Sequence, residues 1–167
     1  MKGQTIGKTM PHGYAGSYAR QPDSVINSRP AGANIAFGIG VVYDNAGNVV
    51  PMGTTGAKNS FVGVAVREIK SATDYLNQNE GSYVAGDAVP VMVRGSVNVK
   101  CQRSTPSLGG AVYIRTAANS SYEGCVIGGF EAVADEGKTT LLGNCQWGGP
   151  ADANGIAELI ILTRANA

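Results

Sequence analysis

Between Val89 and Cys101 the chain alternates without a break for thirteen residues. Val89, Val91, Val93, Gly95, Val97, Val99 and Cys101 are apolar or tiny, while Pro90, Met92, Arg94, Ser96, Asn98 and Lys100 are mostly polar. A strand sends successive side chains to opposite faces, so the pattern predicts a strand with one face buried and one wet. Burying each valine contributes about 1.5–3 kcal/mol, and a one-residue slip forfeits all of it. Gly95 falls in the middle of the inward set. It marks a bend or the close approach of another backbone, or else a simple gap in the core.

The rest of the pattern is a series of short apolar runs between turns. Ile35 to Val42 reads as a strand apolar on both faces. Asp44 to Asn48 is a turn into a short return strand, Val49 to Met52, making a hairpin. Phe61 to Arg67 and Ala111 to Arg115 are further strands, and Cys125 to Ile127 reads as a short one. Phe130 to Ala134 and Thr139 to Leu142 flank the turn at Asp135–Lys138 as a second hairpin, and Ile156 to Thr163 is a strongly apolar closing strand. Residues 68–81 are a thin helix candidate or a polar excursion, because Thr, Asn, Asp and Ser make poor helix interiors. About eight short strands with little helix predict an all-β fold, a β-barrel or sandwich. The glycines within strands favour a small, strongly bent barrel.

Residues 1–33 lack any such period. Large aliphatic residues are sparse, and Gly, Ser, Pro and Asn are frequent. A solvated tail fits this composition. An arm ordered on a partner subunit fits it too, and is favoured because Tyr14, Tyr18 and Arg20 are of the types enriched in binding hot spots. The expected organisation is therefore an extended N-terminal arm over 1–33 and a β-barrel body over 34–167, entered through the turn Arg29-Pro30-Ala31-Gly32.

Composition narrows the function. Charged residues make up only 15% of the 167 residues and the formal net charge is +1. A nucleic-acid binder needs a basic patch or stripe, which this balance does not offer. No apolar run is long enough for a spanning helix, and the N-terminus lacks the apolar core of a signal peptide. Cys101, Cys125 and Cys145 form no C-x-x-C pair and are expected as reduced, mostly buried thiols. With one histidine, His12, they make no recognisable zinc set. No metal, cofactor, membrane or nucleic-acid partner is expected.

Catalytic constellations are equally scarce. His12 sits in the arm, away from any evident nucleophile. Most carboxylates fall in turns; Glu158, in the last strand, reads as an outward-facing residue. Trp147 is a ligand platform or, more simply, a core or interface plug. Arg94, Lys100, Arg103 and Arg115 form either a basic strip near one end of the body or a solvated face.

The ordered set Phe61-Val62-Gly63-Val64-Ala65, Tyr83-Val84-Ala85-Gly86-Asp87-Ala88-Val89-Pro90-Val91-Met92-Val93-Arg94-Gly95, Val97-Asn98-Val99, Gly109-Gly110-Ala111-Val112-Tyr113 and Ile156–Leu162 resembles the structural cement proteins that decorate and clamp the capsids of tailed bacteriophages. The resemblance covers roughly residues 33–164. Gly110 stands where an acidic residue is usual, and 68–80 is longer and more polar than the family pattern. The resemblance implies a non-enzymatic virion protein, made in the host cytoplasm and placed on the outer capsid surface. It would bind and bridge major capsid protein subunits, its arm engaging them through Tyr14, Tyr18, Arg20 and Arg29. It would also form a homo-oligomer, with a trimer favoured. Another virion β-protein, such as a head-fibre base or tail accessory, or a small carbohydrate-binding barrel, is the alternative.

Overall fold

The computed structural model describes residues 11–58, 60–68 and 81–163. They form twelve β-strands and no helix: β1 (Tyr18–Pro30), β2 (Ile35–Ala36), β3 (Gly40–Tyr43), β4 (Val49–Pro51), β5 (Gly63–Ala65), β6 (Ser82–Tyr83), β7 (Ala88–Lys100), β8 (Tyr113–Arg115), β9 (Phe130–Glu131), β10 (Thr139–Leu141), β11 (Cys145–Trp147) and β12 (Ile156–Ile161). The all-β expectation holds. The closed barrel does not, because the strands lie in a seven-stranded, a three-stranded and a two-stranded sheet, none of them closed among the described residues. The helix considered over 68–81 falls almost wholly outside the described residues.

The large sheet runs β11-β12-β7-β5-β3-β4, with β1 also paired to β7. The valine-rich strand is the hub. Its first half takes β5 through Val64↔Met92, its second half takes β12 through Leu159↔Val97, and β1 follows it along most of its length. All these pairings are antiparallel.

The wet face predicted for this strand is missing. Pro90, Met92, Ser96 and Asn98 are buried, and only Ala88, Arg94 and Lys100 are exposed. The reason is that core lies on both sides of the large sheet. One cluster holds Val42, Val50, Val64 and Met92 with Ile114 and Phe130 of the small β10-β8-β9 sheet. The other holds Val41, Val49, Ala65 and Val91 with Ile35 and Tyr83 of the β2-β6 pair. Neighbouring residues of β3, β4 and β5 therefore feed opposite clusters. This explains the runs that read as apolar on both faces.

Gly95 resets the alternation. Val89, Val91 and Val93 belong to the second cluster, but Val97 and Val99 belong to the first, together with Met92. A strand can exchange faces this way only through a bulge-like residue, and Gly95 has φ = 121°. A Cβ there would lie 2.7 Å from the Asp23 carbonyl oxygen, so the close-approach reading of this glycine is the right one.

Two hairpin expectations have different outcomes. The turn between β3 and β4 forms as predicted, with Asp44 Oδ1 accepting from the amides of Ala46 and Asn48, both at 2.8 Å. The segments around Asp135–Lys138 do not pair with each other, because β8 inserts between β9 and β10. Cys125–Ile127 is not a strand. Gln102 holds it as a loop, accepting from the Val126 amide at 2.5 Å and donating to the Val126 carbonyl at 3.2 Å. The single strand expected over Ile35–Val42 is split at Gly38, where φ = 75° and a Cβ would lie 2.8 Å from the Gly16 amide nitrogen.

Candidate functional site

The stretch singled out as a capsid-binding arm is not a separate tail over its described part. Tyr18–Pro30 is strand β1, paired to β7 of its own chain from Tyr18↔Val97 to Pro30↔Ala88. The sparse aliphatics did not announce it because β7 supplies the apolar surface, and β1 contributes mainly backbone hydrogen bonds. Pairing is interrupted between Arg20 and Val25, where the strand arches past Gly95. This break leaves an outer segment, residues 11–20, and an inner one, Val25–Pro30.

The outer segment is seated by polar contacts. The Gly16 amide donates to the Asn98 carbonyl at 2.7 Å, the Asn98 amide to the Ser17 carbonyl at 2.8 Å, and the Arg67 amide to the Gly16 carbonyl at 2.8 Å. Asn98 Nδ2 donates to the His12 carbonyl at 2.8 Å and to Ser17 Oγ at 3.0 Å. The His12 amide reaches Asp152 Oδ2 at 2.9 Å. Gly16 and Gly38 face one another so closely that neither position has room for a side chain.

Three of the four predicted residues lie in this segment. Tyr14 is 71% exposed, with the Arg67 guanidinium 4.8 Å from its ring centroid. The Tyr18 hydroxyl hydrogen-bonds the Glu68 carboxylate. Burial, reinforced by that carboxylate, pushes the phenol up to about 12. Arg20 forms a forked ion pair with Glu158, Nε to Oε1 at 2.6 Å and Nη2 to Oε2 at 3.1 Å. Its side chain keeps 72% of its exposure while that of Glu158 keeps 7%. The Arg20 hydrogen bond holds the Glu158 carboxyl below the usual carboxylate range, against the opposing effect of burial. Glu158 is therefore a buried, paired group rather than the outward-facing one expected.

Arg29 is not with the other three. It pairs with Val89, eight positions along β7 from the partner of Tyr18, a span of about 25 Å in an extended strand. Its Nε donates to the Tyr43 hydroxyl at 2.9 Å.

The supposed basic strip divides. Arg94 is exposed and meets Asp23 at 3.1 Å. Arg115 is fully buried, with Nε 2.5 Å from Glu131 Oε1 and Nη2 3.0 Å from Asp135 Oδ2. Arg103 reaches Glu131 at 3.0 Å and stacks on Tyr122, 3.7 Å from the ring centroid. Asn119 donates to Asp135 at 2.9 Å. This cluster ties the 117–129 loop to the body, and sequence reasoning missed it. Glu131, a carboxylate directly after the apolar Phe130 and not in a turn, was the available signal.

Trp147 is completely buried, which removes it as a ligand platform. Cys101 and Cys145 are buried free thiols, and burial pushes Cys145 up to about 12.

Comparison with known proteins gives these features a context. A chain in the solved capsid of Myoviridae phage XM1 superposes with a TM-score of 0.66 at 15% identity, covering 96% of this chain and 98% of that one, which shows a shared fold. No curated protein matches by sequence. The family described as structural cement protein (E217 gp24/Pam3 gp6) matches residues 3–162, a span that takes in the outer segment, the hub strand and the last strand together. By that match this chain belongs to the phage structural cement proteins, components of the capsid.

Proposed function

We propose that the protein binds major capsid protein subunits on the outer surface of the phage head and bridges them, stabilising the mature shell without catalysing a reaction. The family match over residues 3–162 carries this reading. The geometry supports it: the outer segment leaves Tyr14 and the Arg20 guanidinium exposed, the residue types that anchor interfaces. Arg29, at the far end of β1, offers a second contact at a distance suited to bridging. A ligand that binds only the assembled shell stabilises it by mass action, and two contacts on neighbouring subunits add effective concentration.

The test is co-sedimentation of the purified protein with mature heads that lack it, followed by imaging. The expected outcome is density repeated over the outer shell lattice, with Y14A and R29A each weakening binding several-fold. Density at a single vertex would make it a tail or fibre component, and full binding by both variants would remove the arm from the contact.

A further inference from the structure

Residues 11–20 are joined to the rest of β1 by a short unpaired crossing. Pairing with β7 is lost between Arg20 and Val25. Within that gap the Asp23 and Ser24 backbone runs so close to Gly95, which has φ = 121°, that a Cβ on the glycine would lie 2.7 Å from the Asp23 carbonyl oxygen. Pro22, in the same gap, carries no N–H to offer the sheet. Beside the hinge lies a cleft of about 380 Å³, lined by Arg20, Asp23, Arg94 and Ser96, so the crossing is not packed solid.

The segment itself is held mainly by polar contacts, with Tyr18, partly buried against the main core, as its apolar anchor. Gly16 is its only buried residue. Elements of this kind open locally at low free-energy cost. The seat that such an opening exposes is specific. It presents the Asn98 edge of β7, the Arg67 amide, the shallow space over Gly38, and two carboxylates, Glu158 and Glu68. These match the Arg20 guanidinium, the Tyr18 hydroxyl and the side-chain-free Gly16, all supplied by residues 11–20 of any copy of this chain.

We propose that residues 11–20 are an exchangeable strap: in a reciprocal pair of copies, each strap leaves its own β7 and fills the equivalent seat on the other. This goes beyond the capsid contact proposed above and names the surface through which two copies join. Each seat ends filled by the same chemistry, so the balance between closed monomer and exchanged pair reduces to the conformational preference of the hinge against the cost of association. A short hinge favours exchange, and so would crowding of copies on the shell surface proposed above.

Charge reversal tests it on the full-length chain. R20E alone and E158R alone each place like charges in a self-occupied seat. In an exchanged pair of R20E with E158R, both seats regain opposite charges. Native mass spectrometry of the mixture should show the hetero-pair in excess over either homo-pair by on the order of tenfold, the ratio that a coupling of about 1.4 kcal/mol produces. The double variant R20E/E158R in one chain controls for folding, and should melt like the wild type. Should E158R prove unable to fold, an equal mixture of isotope-labelled and unlabelled wild type at high concentration decides, through intermolecular NOEs between Tyr18 and Val97. Hetero-pairs no more abundant than homo-pairs, an oligomer indifferent to both charge changes, or a lack of those NOEs would overturn the proposal.

Discussion

Arg115 Nε and Glu131 Oε1 lie 2.5 Å apart, and solvent reaches neither side chain. The pair joins β8 to β9 inside the small sheet; Arg103 donates to the second Glu131 oxygen, Arg115 also donates to Asp135 and to the Ala117 carbonyl, and Asn119 in turn donates to Asp135. Desolvating two charges costs several kcal/mol, which mutual attraction offsets only while every member is in place. Removing one partner and removing both should therefore have different consequences. E131L should cost about 3–5 kcal/mol by leaving two guanidinium groups short of an acceptor, whereas R115M/E131L should cost much less. Urea unfolding of the two variants checks this; equal losses would show that the pair is not coupled.

Acid should weaken the fold through the same carboxylates. Hydrogen bonding from Asn119, with the neighbouring arginines, holds Asp135 below its ordinary range, and Arg20 does the same for Glu158. A carboxyl depressed in the folded state stabilises above its unfolded pKa, about 4, and that stabilisation is lost as pH falls through the folded value. Melting temperature should be flat from neutral pH to about 5 and then decline. N119A and R20A should each flatten the decline, since each removes the contact that depresses one carboxyl. An unchanged acid limb in both would place the acid sensitivity elsewhere.

At the alkaline end the sign reverses. Burial raises the Cys145 thiol from 9.0 to about 12, and Tyr18 rises from 10.0 to about 12. A group raised in the folded state contributes fully below its unfolded pKa and loses that contribution as pH climbs toward the folded value. Stability should fall from about pH 9 upward. C145A should remove the first part of that fall, at the cost of a small cavity. A wild-type curve that stays level to pH 11 would contradict the buried thiol.

How far the sequence spoke depended on whether a residue's neighbour was local. Val89 to Cys101 announced the hub strand, and the Asp44–Asn48 turn announced its hairpin, because both are written in consecutive residues. β1 stayed hidden because its pairing energy lies in backbone bonds to a strand some seventy residues away, which leave no mark on side-chain pattern. Arg20 and Glu158 are 138 positions apart, so their charges read as two surface groups until the fold brought them within 2.6 Å. The valine run was misread in two respects: its wet face, because the sheets that cover it are contributed by distant and very short strands, and its single inward set, because Gly95 passes the later valines to the opposite cluster. The contacts that hold Tyr18, Arg20 and Arg29 in place were not visible in the sequence, because each partner lies far along the chain.

Gly95 provides the sharpest single-site prediction. Its φ of 121° is poorly accessible to a residue with a side chain, and a Cβ would sit 2.7 Å from the Asp23 carbonyl oxygen and 3.0 Å from Ser24 Cα. These are backbone atoms, so no rotamer change can relieve the contact. The strain of a non-glycine residue in such a region is about 1–3 kcal/mol before the clash is counted. G95A should therefore lower stability by at least that amount in urea. The inner β1 pairing, from Ile26↔Met92 to Pro30↔Ala88, should survive, because its register is set independently of the arch. Amide exchange distinguishes this local effect from general loosening. The Asn98 and Gly16 amides should lose protection in G95A, while the Met52 amide, which donates to Gly40 on the far side of the sheet, should keep it. Uniform loss across all three would mean that Gly95 supports the whole body rather than the seating of the strap.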